Sequence, residues 1–437
     1  RGKYVKYLSR ANLVALLINM AELSFSGSKN FRQIIVCSTL SGRPVRISDI
    51  RQEDTDPGVS HYEMCFLKLV EKITNGSRID INQTGTRVRY FPGTITNGDG
   101  KMLFHDCEKR SISYYLEPLM QLAPFGKKDL NIVLKGITNS DIDIGIDSMR
   151  MTTIPLMSFF GINGMEIKVN KRGLLPAGGG EVTFRCPIVR ELAKLELKNP
   201  GKIKRIRGVA YSCKTAPGLT SRIVDSSREI FNKFLPDVWI YTDHAKGDKA
   251  GLSPGYGLSL TAETTTGLFV SSESISKPRR RKDSIRAEDD LPESIGKTAS
   301  MFLLDELVHC GCVDSSNLPM MFLFMTLGPA AKVATLRVGR LSNFTIDYLR
   351  LLKAFFGVKF VIKEAEDLEF GDEEESEEEE EEKSDQEMDS DQEEEMSQDN
   401  GEEEMEADPE LNLEIPKCSI FSCVGIGYQN VSRIMLQ

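Results

Sequence analysis

From residue 28 onward the chain runs through one order of elements three times, and that repetition restricts the possible folds more than any single motif does. The first pass has a helical pattern over residues 28 to 41 and a strand over 44 to 50 (PVRISDI). A helix follows over 60 to 75, because Met64, Leu67, Val70 and Ile73 share one face, and then RIDINQ and RVRYFPG flank Gly85 as a hairpin. The order returns at 109 to 123 (helix), 129 to 136, 146 to 160 (helix), 164 to 170 and 180 to 186. It comes back a third time at 294 to 328 (helical), 333 to 338, 343 to 356 (helix), 358 to 363 and 418 to 424. The expected class is α+β. Each unit is too small to bury an adequate core alone, so the three are expected to pack as a single body.

Two stretches interrupt the rhythm. Residues 190 to 290 read as strand (RIRGVAYSC), helix (SRIVDSSREIFNKF), strand (DVWIYTDH) and a further strand pair around LSLTAETTTGLFVSS, a small inserted α/β domain ending in the charged linker SKPRRRKDSIRAEDDLPES. Residues 364 to 410 hold 28 Asp or Glu and one Lys. Charge of one sign at that density cannot bury enough apolar surface to offset chain entropy, so this insertion into the third copy is expected to be a disordered loop. Ser376, Ser384, Ser390 and Ser397 lie among its acids as candidate phosphorylation sites. The resulting division is an extension over 1–23, two repeats over 24–189, the inserted domain over 190–290, and the third repeat over 291–363 and 411–437.

The acidic insertion also hides the charge of the remainder. The whole chain of 437 residues has a formal net charge of -10, from 55 basic and 65 acidic residues. Without residues 364 to 410 it has 54 basic and 37 acidic residues, a net of +17. A body of that sign suits a polyanionic partner such as RNA. Candidate phosphate contacts are Arg43, Arg46 and Arg51 about the strand PVRISDIR, Lys171 and Arg172 beside Gly178-Gly179-Gly180, and Lys202, Lys204, Arg205 and Arg207 at a strand start. The run from Lys277 to Lys282 is compatible with nuclear import.

No apolar run approaches the roughly 20 residues needed to span a bilayer. Residues 11 to 21 follow Arg1, Lys3, Lys6 and Arg10, an order that also suits a signal peptide, but the segment is read as an extra amphipathic helix. Nine cysteines without a repeated spacing point to reduced thiols, and Cys310-Gly-Cys312, with a one-residue spacer and no second pair, reads as packing rather than a zinc ligand set. Asn97-Gly98-Asp99-Gly100-Lys101 lacks the leading glycine and the final Ser or Thr of a phosphate loop and reads as a turn. The glycine run Gly178 to Gly180 is likewise read as a tight turn.

Several strings, among them FRQIIVCSTLSGRPVRISDIR (31 to 51), LAPFGKKDLNIVLKGITN (122 to 139), PGKIKRIRGVAYS (200 to 212), SPGYGLSLTAET (253 to 264) and SCVGIGYQN (422 to 430), resemble the ribosome-biogenesis branch of the RNA terminal phosphate cyclase family. The resemblance covers about residues 24 to 437 outside the acidic tract and the linker. It implies three βαβαββ units similar to the C-terminal domain of translation initiation factor three, with a thioredoxin-like inserted domain.

Cyclases of this family take AMP from ATP onto a histidine, which needs a nucleophilic nitrogen beside a metal-bound triphosphate. In active members it lies in a stretch like VDEHLQDQ before an FMAL-like run. Matching Val313-Asp314 and Phe324-Met325-Thr326-Leu327 to these puts Ser316 at the histidine position, with Leu318, Pro319 and Met320 replacing the polar residues that follow. His309, seven positions earlier, falls in an apolar-periodic helix and reads as a packing residue. The family's glycine-rich segment, similar to EGGGQILR, corresponds to Ser26 through Gln33, where Gly27 is the one glycine kept; Arg32 within it is a further candidate anion contact. Glu53, Asp54 and Asp56 stand where basic residues precede Pro57-Gly58, and they would repel a polyanion.

The resemblance therefore implies a non-catalytic nucleolar assembly factor of the small ribosomal subunit, acting early in pre-rRNA (18S precursor) processing. Its partners would be pre-rRNA and a large nucleolar GTPase within the small-subunit precursor complex, with no cofactor, metal or membrane. Two enzymatic alternatives stay open: ATP-dependent RNA 3'-terminal phosphate cyclisation, and cleavage of pre-rRNA as an endoribonuclease, for which Asp141, Asp143 and Asp147 are the candidate metal carboxylates.

Overall fold

Four four-stranded sheets, a two-stranded ribbon and their helices make up the described residues, 22–278, 290–365 and 418–430, of the computed structural model. The first sheet is ordered Leu23–Ser26, Val45–Ser48, Val88–Phe91, Arg78–Ile81; its first pair is parallel and the next two antiparallel. The second is ordered Met102–Ser111, Leu130–Ile137, Gly180–Cys186, Glu166–Lys171, with the same directions. So is the third: Glu196–Leu197, Val333–Val338, Ser419–Val424, Val361–Glu364. A parallel pair needs a crossover, and the helices Phe31–Ser41 and Ile112–Leu122 supply it in the first two sheets. In the third sheet the crossover holds an entire fourth sheet.

All the described residues belong to one compact unit. One apolar cluster joins Val45, Leu134 and Leu336 from the three like-ordered sheets to Phe322 and Phe324. The last two lie on the helix Leu318–Leu327, whose ten residues are all buried. Its sequence LPMMFLFMTL has no polar face, as a helix at the centre of a core should not. Its one hydroxyl, on Thr326, donates back to the Phe322 carbonyl at 2.8 Å. The amphipathic helix Asn343–Phe356 starts where Ser342 Oγ accepts from the Thr345 N–H at 3.1 Å and stops at Gly357, which takes φ 71°.

The fourth sheet is ordered Val238–Ala245, Ile203–Cys213, Gly255–Thr264, Phe269–Ile275, and has its own apolar cluster. The helices Pro217–Phe231 and Pro292–Val308 contribute Ile223, Phe231, Ile295, Ala299 and Leu303 to it. They approach closely at Gly296, where a Cβ would lie 2.6 Å from the Ile223 carbonyl oxygen.

The segment 294 to 328, expected to be helical within the third copy, is two helices with different allegiances. The first packs on the fourth sheet and the second lies in the main core. Between them Cys310 adopts φ 47°, and Asp314 takes hydrogen bonds from Asn317 that a continuing helix would forbid.

Three strands that the sequence did not announce, Leu23–Ser26, Met102–Ser111 and Glu196–Leu197, each form the first edge of their sheet. No helix among the described residues is long and apolar enough to cross a membrane. The expected N-terminal helix over 11–21, the import run beyond Pro278 and the acidic loop with its serines lie outside the described residues.

Candidate functional site

Ser316 stands on the loop that leads into the central helix Leu318–Leu327, and buried hydrogen bonds fix that loop. Asp314 Oδ1 accepts from the Asn317 N–H (3.1 Å) and Nδ2 (2.7 Å), while its Oδ2 accepts from the Ser271 N–H (3.1 Å) and Oγ (2.6 Å) on the fourth sheet. Thr153 Oγ1 donates to Asn317 Oδ1 at 2.7 Å. Ser315 donates its N–H to Glu306 at 3.0 Å and its hydroxyl to the same carboxylate. Burial pushes the Asp314 carboxyl up to about 6, against the hydrogen bonds that favour its ionised form. The result is a rigid loop with an exposed serine at its tip.

Two cavities meet at Ser316. One, of about 310 Å³, has Arg32, Glu117, Asp143 and Ser315 in its wall; the other, of about 220 Å³, has Glu273, Asp305 and Glu306. Ile144 and Ser316 line both. Five carboxyl groups thus face these spaces against the single guanidinium of Arg32. That guanidinium is engaged already, pairing with Glu117, donating to the Tyr114 carbonyl at 2.6 Å and lying 4.5 Å from the centre of the Tyr114 ring. Asp143 is held by Arg110 and by Ser111 Oγ at 2.8 Å. A triphosphate entering here would meet mainly negative or carboxyl-lined surface.

No histidine lines either cavity. His309 ends the helix Pro292–Val308 with Nδ1 2.6 Å from the Asp305 carbonyl oxygen, a capping contact. His105 is buried beside Cys65 at 3.3 Å, and burial lowers its pKa to about 4. His244 contacts Ser212 Oγ at 2.9 Å, and His61 is exposed at a helix start.

Of the three aspartates weighed as metal ligands, Asp143 and Asp147 are in ion pairs with Arg110 and Arg172, and Asp141 is exposed. Among the described residues no group of three or more His, Cys, Asp or Glu is arranged to hold a metal. None of the nine cysteines is in a disulfide, and burial pushes the Cys312 thiol up to about 12.

The sequence-chosen cations are scattered rather than gathered. Arg43 donates to the Ala354 (3.2 Å) and Phe355 (3.3 Å) carbonyls, satisfying the C-terminus of the helix Asn343–Phe356. Arg46 pairs with Glu22 at 3.0 Å, and Arg51 grips Glu63 while donating to the Gly58 carbonyl at 2.7 Å. The acids Glu53, Asp54 and Asp56 beside it are exposed. Arg205 and Arg207 pair with Glu263 and Asp237, both at 2.7 Å, whereas Lys202 and Lys204 are exposed and Lys171 is half-buried.

Arg172 departs furthest from the surface role expected of it, being 3% exposed with every N–H engaged. Its Nε and Nη2 donate to Asp243 (3.0 and 2.7 Å), Nη1 and Nη2 to Asp147 (2.7 and 3.2 Å), and Nη1 also to Asn139 (3.1 Å). The Tyr211 ring lies 4.5 Å from the guanidinium carbon.

Asn97, read as part of a surface turn, sits on that turn but is fully buried and donates through Nδ2 to the Ala123 and Lys128 carbonyls, both at 2.8 Å. Replacing it with alanine would strand both acceptors, and urea unfolding should show a loss of about 1–3 kcal/mol.

Glu273 and Glu306 were missed by sequence reasoning. A glutamate inside the strand FVSSESI is the one available signal, since an acid in a run otherwise apolar or small is rarely buried without a partner. Here Glu273 accepts from the Gly145 N–H at 2.6 Å and Ser148 Oγ at 3.1 Å, tying the fourth sheet to the second sheet's crossing segment.

With this geometry in view, comparison with known proteins is informative. The family profile described as RNA 3'-terminal phosphate cyclase matches residues 23–362. A human protein named RNA 3'-terminal phosphate cyclase-like protein is 48% identical over 80% of this chain and 94% of its own length. A Dictyostelium discoideum protein, named as a probable member of the same kind, is 41% identical over 94% of this chain and 99% of its own. The rRNA processing protein rcl1 of Schizosaccharomyces pombe is 38% identical over 78% and 92%. The chain belongs to the RNA 3'-terminal phosphate cyclase family.

Proposed function

We propose that this chain is a non-catalytic assembly factor in ribosome biogenesis, acting in the nucleolus on the 18S precursor and binding pre-rRNA together with a large GTPase of the small-subunit precursor complex. The carrying observation is the charge at Ser316. Five carboxyl-bearing side chains and one already paired arginine line the two cavities there, and neither cavity has an imidazole to accept a nucleotide. A serine hydroxyl is a weaker nucleophile than an imidazole, and walls with five carboxyl groups and one guanidinium already paired offer little to hold the polyphosphate that an adenylation step requires. The name of the fission yeast relative supports a place in rRNA processing, and the +17 charge outside residues 364–410 supports an RNA partner.

On this reading the three like-ordered sheets are copies of one βαβαββ unit. The fourth sheet is a thioredoxin-like domain inserted within the third copy rather than before it, because Glu196–Leu197 precedes it in the chain.

Incubation of the purified protein with radiolabelled ATP and magnesium is expected to leave no covalently labelled chain, and RNA bearing a 3'-phosphate should be recovered unchanged. Labelled protein would overturn the proposal in favour of a working cyclase. Cleavage of a pre-rRNA fragment by the protein alone, lost on single substitutions, would overturn it in favour of a nuclease.

A further inference from the structure

The fourth sheet ends in an open edge. Its strand Val238–Ala245 pairs on one side only, with Ile203–Cys213, among the described residues. Val238 and Ile240 face the helices and are buried, so the alternate positions Trp239 and Tyr241 face the other way, and they are 54% and 59% exposed. Their ring centroids are 6.0 Å apart. Trp239 is the chain's single tryptophan, and with Tyr241 it sets two aromatic faces side by side on an exposed edge strand.

The surroundings indicate what these faces suit. The register sets Arg207 beside Trp239 and Val209 beside Tyr241. Tyr241 also lines a cavity of about 300 Å³ whose wall includes Arg150, Asn170, Lys249 and, two positions further along the same strand, Asp243. Arg150 is 43% exposed, and its nearest acid, Asp147, lies 3.6 Å away and is already held by Arg172. Asp243 is likewise bound by Arg172, which offsets its charge. Two exposed rings flanked by Arg150 and Lys249, and by an Arg207 that Asp237 holds in place, above a small aliphatic floor of Val169, Val209 and Ala245, match what a single-stranded polynucleotide requires. Bases stack on aromatic faces and the cations meet the phosphates.

We propose that Trp239 and Tyr241 form a stacking platform for single-stranded RNA, with Arg150, Arg207 and Lys249 receiving its backbone. This rests on the RNA-binding part of the function proposed above. It adds a site for the RNA remote from Ser316 in sequence and lined by different residues.

The lone tryptophan makes the test specific. Titrating the full chain with a short unstructured oligouridylate at low salt should quench its tryptophan emission, and salt should reverse the effect. The double variant Trp239→Ala, Tyr241→Ala should bind the oligonucleotide about ten- to a hundredfold more weakly, and Trp239→Phe, which keeps a stacking face, should recover most of the affinity. Both side chains are exposed, so an unchanged circular dichroism spectrum is expected for each variant.

If the wild-type chain binds the oligonucleotide with unaltered emission, and the double variant binds equally well, the platform is wrong while RNA binding stands. That outcome would also follow if the open edge received an added protein strand instead. If the wild type binds no single-stranded RNA at low salt, the RNA reading falls and the platform with it.

Discussion

Replacing Arg172 with alanine is expected to destabilise the protein by about 3–5 kcal/mol, because it takes from the wholly buried Asp147 its hydrogen-bonded counter-charge and leaves only the more exposed Arg150 at 3.6 Å. Urea unfolding monitored by circular dichroism should show the midpoint fall. Adding Asp147→Asn to the same chain should recover part of the loss, since the stranded charge is then gone. A double variant no more stable than Arg172→Ala alone would mean that the two residues act independently.

The pH dependence of this pair follows from its environment. Burial opposes ionisation of Asp147, and the charge and hydrogen bonds of Arg172 overcome it, so the carboxyl is held below its ordinary value of 3.8. A lowered folded value contributes stability above the unfolded value, and that stability is lost as pH falls through the folded one. In wild-type protein the pair should therefore persist at mildly acidic pH and fail only in strong acid.

Glu273→Gln should have the opposite sign and raise stability in base. Burial pushes this carboxyl from 4.5 up to about 7, with the charge of Asp147 adding and the hydrogen bonds from Gly145 and Ser148 opposing. A raised folded value contributes stability that is complete below the unfolded value and lost as pH rises through the folded one. By about pH 8 the wild-type chain carries an unfavourable, largely desolvated carboxylate at the cavity wall, worth about 1–3 kcal/mol. Glutamine keeps the acceptor for the Gly145 N–H and never ionises. The variant is expected to exceed wild type by about 1–3 kcal/mol at about pH 8, with the gap shrinking toward about pH 5. A gap that does not change with pH would refute the assignment.

The amphipathic helices His61–Ile73 and Asn343–Phe356 and the inner strands were legible because their burial is periodic. The face set by Met64, Leu67, Val70 and Ile73 and the antiparallel pair Arg78–Ile81 with Val88–Phe91 emerge from spacing alone. The first strand of each like-ordered sheet was not legible, for separate reasons: Glu196–Leu197 and Leu23–Ser26 are too short to show a period, and in Met102–Ser111 the alternation breaks, with Phe104 exposed and Lys109 at φ 63°.

The candidate site was legible at Ser316 and opaque around it. Lys171 and Arg172 looked like one surface cluster, yet successive residues of an extended chain point to opposite sides, so one of the two had to turn inward. Arg51 with Glu63, and Arg172 with Asp243, meet only after folding, and composition cannot reveal which charges neutralise one another.

The placement of Glu196–Leu197 before the fourth sheet imposes an order on folding. Its partner, Val333–Val338, is made only after the whole intervening module, and the last neighbour, Ser419–Val424, comes later still. A nascent chain emerging from its N-terminus can thus complete two of the like-ordered sheets early, while the third waits for its final strand with the apolar helix Leu318–Leu327 already synthesised. Loss of that strand would leave Val333–Val338 and Val361–Glu364 with nothing between them and uncover a helix that is apolar on every side, a hazard of aggregation set by connectivity rather than by composition.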